Sequence, residues 1–265
     1  MSADAVPPRP DGLHPVEPPP PTPTEQGGVE ARPKATWSVW EALAVYLLAI
    51  LIGGFATLPI VQLVDDEDVA NLAASAVAAL SIMAVLLAWL AASHRSWRHV
   101  MGFPDRGGWW AEVRGDLGFG LFLYPAMVFG VGLALSLVLS AISGQTAQAP
   151  EQVPPDLPAV GVGISIAYAI VIAPIHEEFF FRGVLFRSVR DRYGLWPGLL
   201  ASGVGFSLIH YLTGPWQDTT LLMGVMLFNG MALAWWYERR GTIVAPMVAH
   251  MVFNVIGLSL ILTLQ

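Results

Sequence analysis

The sequence predicts an all-α, polytopic membrane bundle with an intramembrane cavity, and three observations predict it. Of its 265 residues, 55% are hydrophobic and 12% charged, with a mean hydropathy of +0.58. A soluble domain carries about twice that charge. Apolar stretches of the length that spans a bilayer, about 20 residues, recur along the chain. Basic residues fall only in alternate connections between those stretches. We read about seven transmembrane helices, with room for an eighth.

The chain divides into a tail at 1–36, N-terminal helices with an interfacial segment at 37–158, and a helical core at 159–263. The tail holds Pro18-Pro19-Pro20-Pro21 and almost no large apolar residues. It reads as disordered or polyproline II chain. A PxxP-type ligand for a proline-binding domain is the functional alternative to a flexible cytoplasmic extension. No apolar h-region follows Met1, so the segment does not read as a signal peptide.

The expected spans are 41–64, 69–92, 116–142, 159–181, 196–213, 219–237 and 243–263. Asp65-Asp66-Glu67-Asp68 separates the first two. The 93–115 stretch, with Trp97, Arg98, Trp109 and Trp110, reads as interfacial, and the 143–158 loop is rich in Gln and Pro. Trp37, Trp40, Trp196, Trp216, Trp235 and Trp236 lie at proposed ends, as an aromatic belt should. Arg32 and Lys34 precede the first span. Arg95, Arg98, Arg106 and Arg114 follow the second, Arg187, Arg190 and Arg192 the fourth, and Arg239 and Arg240 the sixth. The loops at 65–68, 143–158 and 214–218 hold no Lys or Arg. With seven spans the positive-inside rule puts the N-terminus in the cytoplasm and the C-terminus outside.

Composition also excludes chemistry. There are no cysteines, so disulfides, thiolate metal ligands and thiol nucleophiles are ruled out. Thirteen Lys and Arg leave no basic patch for nucleic acid.

Against this apolar background, three polar pairs stand out. They are Glu177-Glu178 with Arg182, Phe206 with His210, and His250 with Asn254. Ionisable groups in hydrocarbon are costly and by default mark function. Each pair uses a four-residue offset, which puts both side chains on one helix face. Two adjacent carboxylates in low dielectric repel, so one of them is suited to take a proton from water. Arg182, one turn from Glu178, can hold that carboxylate by a charge-assisted bond. Glu177 projects about 100° further round the helix and is free to face a cavity. His250 and Asn254 can together donate two hydrogen bonds to an oxyanion. Each pair alone reads first as helix–helix glue. Three pairs in the last ninety residues, and none in the first three spans, are harder to read so.

The run His176-Glu177-Glu178-Phe179-Phe180 begins like a zincin motif, but Phe180 stands where the second histidine belongs. His176 therefore reads as a bystander. Two imidazoles, His210 and His250, with one glutamate still match a zinc ligand set, so the metal alternative stays open beside a cofactor-free one.

Taken in order, Glu177-Glu178-xxx-Arg182, Phe206-xxx-His210 and His250-xxx-Asn254 resemble the three signature motifs of the CAAX-protease and bacteriocin-processing family of intramembrane endopeptidases. That family includes the type II CAAX prenyl endopeptidases (Rce1-like). The resemblance covers about residues 160–257 and includes Phe181-Arg182-Gly183. It implies a helical membrane protease that cuts a peptide or protein substrate at the bilayer, with a site open toward the cytoplasm. It further implies that Glu177 and His210 activate water and that Glu178 with Arg182 supports them. His250 and Asn254 would stabilise the tetrahedral intermediate, with no metal required.

Depth imposes a condition on this reading. At about 1.5 Å per residue, His210 lies roughly 21 Å from Trp196, and Glu178 roughly 24 Å from Gly194. The glutamates reach that depth only if the fourth helix runs on past Arg182 to about Arg192, which makes it about 30 residues long. The competing readings are a transporter or proton relay, whose ionisable groups should spread along a path, and a scaffold without activity. The clustering of the groups favours the enzyme.

Overall fold

The structure, a computed structural model, describes residues 33–103, 109–148 and 156–264. Most of the proline-rich tail, Arg106 and most of the Gln- and Pro-rich loop lie outside these residues. The described chain is helical and contains no strand. Helix α1 is Val39–Leu63, α2 Glu67–Ser93 and the short α3 Trp97–Val100. Helix α4 joins Trp109–Pro125, Ala126–Gly132 and Leu133–Ser143 without a break. Helix α5 is Ala159–Tyr193, α6 Leu195–Ile209, α7 Trp216–Arg240 and α8 Val244–Leu264. Among the described residues, six helices are long and apolar enough to cross a membrane: α1, α2, α4, α5, α7 and α8. The protein is thus a polytopic helical bundle.

Local chemistry sets the boundaries. Ser38 and Glu41 form a reciprocal capping box at the start of α1. Asp66, within the acidic run, caps α2 by accepting from the Val69 amide, so that run marks a helix start. Gly194, at φ 95°, separates α5 from α6, a conformation that favours glycine.

The main correction concerns the fifth span. Sequence predicts a crossing helix over 196–213, but α6 has 15 residues and ends at Ile209. At about 1.5 Å per residue it covers roughly 22 Å, short of the roughly 30 Å hydrocarbon core. His210 is its C-cap and lies beyond the last helical turn.

The fourth span shows the opposite. Helix α5 runs 35 residues to Tyr193, as the depth argument requires. Two π-helical stretches, Tyr168–Ile172 and Phe179–Phe186, interrupt it. Such wider turns re-aim side chains and recur at functional sites. Helix α5 is the hub of the bundle and packs on α1, α2, α6, α7 and α8. Elsewhere α1 pairs with α2, α4 with α8 and α6 with α7. Apolar side chains such as Leu47, Leu51, Phe55, Leu121, Phe129 and Leu137 stay exposed on the outer face, where lipid is the natural solvent.

The basic segments meet at one end of the bundle. Arg190 on α5 pairs with Glu238 on α7. Arg240 binds Asp116 at 2.9 Å. The Ile243 amide donates to the Met101 carbonyl. Residues 33–36, read from sequence as the end of the tail, are bonded to this same end. Arg187 donates to the Pro33 carbonyl and the Ala35 amide to Asp191, each at 2.8 Å. The fully buried Trp37 donates its indole N–H to the Val184 carbonyl in the second π-stretch of α5.

Candidate active site

Glu177, Glu178 and Arg182 lie in the middle of α5 and are all buried, Glu178 and Arg182 completely. Arg182 Nη1 donates to Glu178 Oε1 at 2.8 Å and Nη2 to the Gly230 carbonyl of α7 at 3.1 Å. The second bond depends on a close helix crossing. A Cβ on Gly230 would stand 2.9 Å from Gly203 Cα of α6, and glycine at both positions brings the α7 backbone within reach. The guanidinium also lies 4.5 Å from the centre of the Phe206 ring.

Helix α8 supplies His250. Its Nδ1 is 2.8 Å from Glu178 Oε1, the same oxygen that Arg182 holds. An ionised carboxylate only accepts, so Nδ1 carries the proton of this bond and Nε2 points elsewhere. Nε2 stands 3.9 Å from Glu177 Oε2. That is beyond a direct hydrogen bond and within the span that one water bridges. The two carboxylates therefore differ sharply. Glu178 is tied to a guanidinium and an imidazole, while Glu177 makes no direct hydrogen bond among the described residues.

Asn254, one turn beyond His250, donates Nδ2 to the Ala169 carbonyl at 2.7 Å. Ala169 lies in the first π-stretch of α5, so this bond ties α8 to a carbonyl at the wide turn. His210 is held apart from this group. Its Nδ1 pairs with the Phe206 carbonyl at 2.8 Å. Its ring lies 4.6 Å from that of Phe206, which in turn lies 5.6 Å from the ring of His250. No hydrogen bond or ion pair joins His210 to either glutamate among the described residues. The expected partnership of Arg182 with Glu178 is present, but the imidazole brought to the glutamates is His250 and not His210. The physical reason is the early end of α6, which leaves His210 on a cap.

The candidate zinc ligands do not converge. Among the described residues, no three His, Asp or Glu side chains stand at metal-ligating spacing. The Nδ1 atoms of His210 and His250 are both committed to protein oxygens.

Two features were not read from the sequence. Tyr46 of α1 lies flat on Phe180, with ring centres 3.5 Å apart, and edge-on to Phe181 at 6.0 Å. The available signal was the phenol itself, a polar handle inside an apolar span. The second feature is His176. It is 7% exposed with both ring nitrogens unpaired, and it closes an apolar cleft of about 180 Å³ between α2 and α5. Leu80, Val171 and Ile175 line the cleft and are exposed on the outer face, so it opens sideways from the bundle.

Comparison with known proteins agrees with the motifs. Residues 159–256 match the family model described as type II CAAX prenyl endopeptidase Rce1-like. No curated protein and no solved structure matches the chain. The matched segment contains α5, α6, α7 and most of α8, and with them every charged or amide side chain of the site described above. Residues 159–256 of this integral membrane protein are thus similar to the Rce1-like family, consistent with the CAAX-protease family that the motifs resemble.

Proposed function

We propose that this protein is an intramembrane endopeptidase of the CAAX type that hydrolyses a peptide bond with water activated by Glu177. One observation carries the reading: Glu177 Oε2 faces His250 Nε2 at 3.9 Å while its neighbour Glu178 is tied through Oε1 to Arg182 and His250. A water hydrogen-bonded to both atoms is the nucleophile. Glu177 takes its proton as the oxygen attacks the scissile carbonyl, then returns that proton to the leaving amine as the C–N bond breaks. Glu178 and Arg182 hold His250 in the tautomer that leaves Nε2 open toward Glu177. His210, one aromatic ring away from His250, flanks the entering peptide. No metal takes part in this scheme.

The substrate is a peptide or protein segment at the membrane. The basic end of the bundle is cytoplasmic, so the N-terminus lies inside. The apolar cleft at His176 receives an apolar side chain of the substrate from the bilayer side. The tight clustering of Glu177, Glu178, Arg182 and His250 favours a hydrolytic site over an ion path, whose groups would spread across the membrane.

The test compares wild type with Glu177→Ala and His250→Ala in detergent on a quenched fluorescent peptide library, with and without chelator. Loss of cleavage in both variants is expected, with no effect of chelator. Wild-type cleavage by Glu177→Ala would overturn the proposal. Activity lost to chelator and restored by zinc would replace the metal-free scheme.

A further inference from the structure

We infer that His176 is a specificity-determining residue: a ring nitrogen hydrogen-bonds the backbone of the bound peptide near the scissile bond, while an apolar side chain of that peptide fills the cleft beside it. The inference rests on the proposed function and deepens it by naming the group that holds the substrate in the cleft.

The first observation is an unpaired polar group in the interior. His176 is buried, and neither Nδ1 nor Nε2 has a hydrogen-bond partner. Buried side-chain polar atoms nearly always have one, and leaving a donor or acceptor unmet is costly. The second is its place. Leu80 and Met83 of α2 and Val171, Ile172 and Ile175 of α5 form apolar walls, and among the described residues lining the cleft only His176 carries a side-chain nitrogen or oxygen.

The third is rotational order. Residues 176–178 belong to a regular α-helical stretch of α5, where each residue advances about 100°. His176 lines the cleft on the side of α2, Glu178 bonds His250 of α8, and Glu177 stands between them, also facing His250. A peptide reaching from the cleft to Glu177 therefore passes His176. With side chains a helix is about 10–12 Å across, so side chains 100° apart end about 8 Å from each other. Extended chain covers that distance in roughly two residues.

The occupant follows from what each side leaves unmet. The walls take an apolar side chain arriving from the bilayer side. An extended peptide drawn out of water carries N–H and C=O groups that need partners. A neutral imidazole offers one donor and one acceptor. A lipid tail would fill the same walls and leave both nitrogens unpaired. His176 binds the peptide and takes no part in proton transfer.

The test uses the full chain in detergent and the library peptide that wild type cleaves fastest. His176→Leu should raise KM about 10-fold, the worth of one buried hydrogen bond, with kcat unchanged and melting temperature unchanged or higher. His176→Gln, which keeps a donor and an acceptor, should restore KM. Replacing each non-scissile amide near the cut by an ester, in turn, should raise the wild-type KM at one position where it leaves that of His176→Leu unmoved. A wild-type KM in His176→Leu, as a lipid-filled cleft would give, would overturn the inference while an inactive Glu177→Ala left the proposed function standing. So would a raised KM that came with a lowered melting temperature and was not restored in His176→Gln. Wild-type activity in Glu177→Ala, or no cleavage by wild type itself, would overturn both.

Discussion

The α1–α2 hairpin and the α5–α8 segment satisfy their polar groups in opposite ways. In the hairpin the bonds are mostly local. Thr57, Ser75 and Ser81 donate to carbonyls three or four residues back, and Ser38 and Asp66 cap their own helices. In the C-terminal segment the bonds that join the candidate site to its surroundings cross between helices: Arg182 to Gly230, His250 to Glu178, and Asn254 to Ala169. Burial follows the same division, with 17% and 22% of the α1 and α2 spans buried against 39% and 33% of α7 and α8. A helix that satisfies itself can stand in lipid. A helix that depends on its neighbours for polar partners can exist only in the assembled bundle, and that dependence is how the candidate site is built. Tyr46 of α1 reaches across to stack on Phe180 of α5.

The largest expected effect breaks the cross-helix network. Arg182→Ala leaves Glu178 buried without its cation. Loss of one member of a buried pair costs about 3–5 kcal/mol, so the variant should melt well below wild type or aggregate in detergent. Next comes the contrast between the adjacent carboxylates. Glu177→Ala should lower peptide cleavage by about 10²–10⁴-fold, the usual worth of a general base, at unchanged melting temperature. Glu178→Ala should lose both activity and melting temperature. If the two variants behaved alike, the division between a reactive and a structural glutamate would be lost.

A smaller change is expected at the α5–α8 tie. Asn254→Ala leaves the Ala169 carbonyl without its donor, at about 1–3 kcal/mol for a buried group left unsatisfied. A thermal melt reads that loss directly. Filling the sideways cleft with Ala79→Trp should reduce kcat/KM for peptides with bulky apolar side chains more than for those with small ones, measured by competition within the library. The smallest effect belongs to the hairpin. Ser81→Ala removes a bond internal to α2 and should change stability by less than about 0.5 kcal/mol. A large loss there would show that the hairpin also depends on its neighbours.

Much of this was legible in the chain. Hydropathy and the placement of arginines located the spans, because lipid demands long apolar helices whatever they pack against. The requirement that Glu178 share a depth with His210 foretold a fourth helix running past Arg182, and α5 does so. The four-residue offset between Glu178 and Arg182 was enough to foretell their bond. The fifth span was read too long, because residues 210–213 continue the apolar run while the helix already ends at Ile209. Hydropathy records solubility in lipid and not where a helix stops.

The sequence by itself determined the class of fold, the membrane setting and the set of polar groups available for chemistry, since each follows from composition and spacing along one helix. Only the tertiary structure decided which imidazole meets the glutamates, that Glu178 and not Glu177 is the carboxylate bonded to Arg182 and His250, and that Tyr46 of α1 stacks on Phe180 of α5. Those choices depend on π-turns, on where α6 ends and on the close crossing at Gly203 and Gly230. Each is set by packing between helices that lie far apart in sequence, and no periodicity along the chain records it.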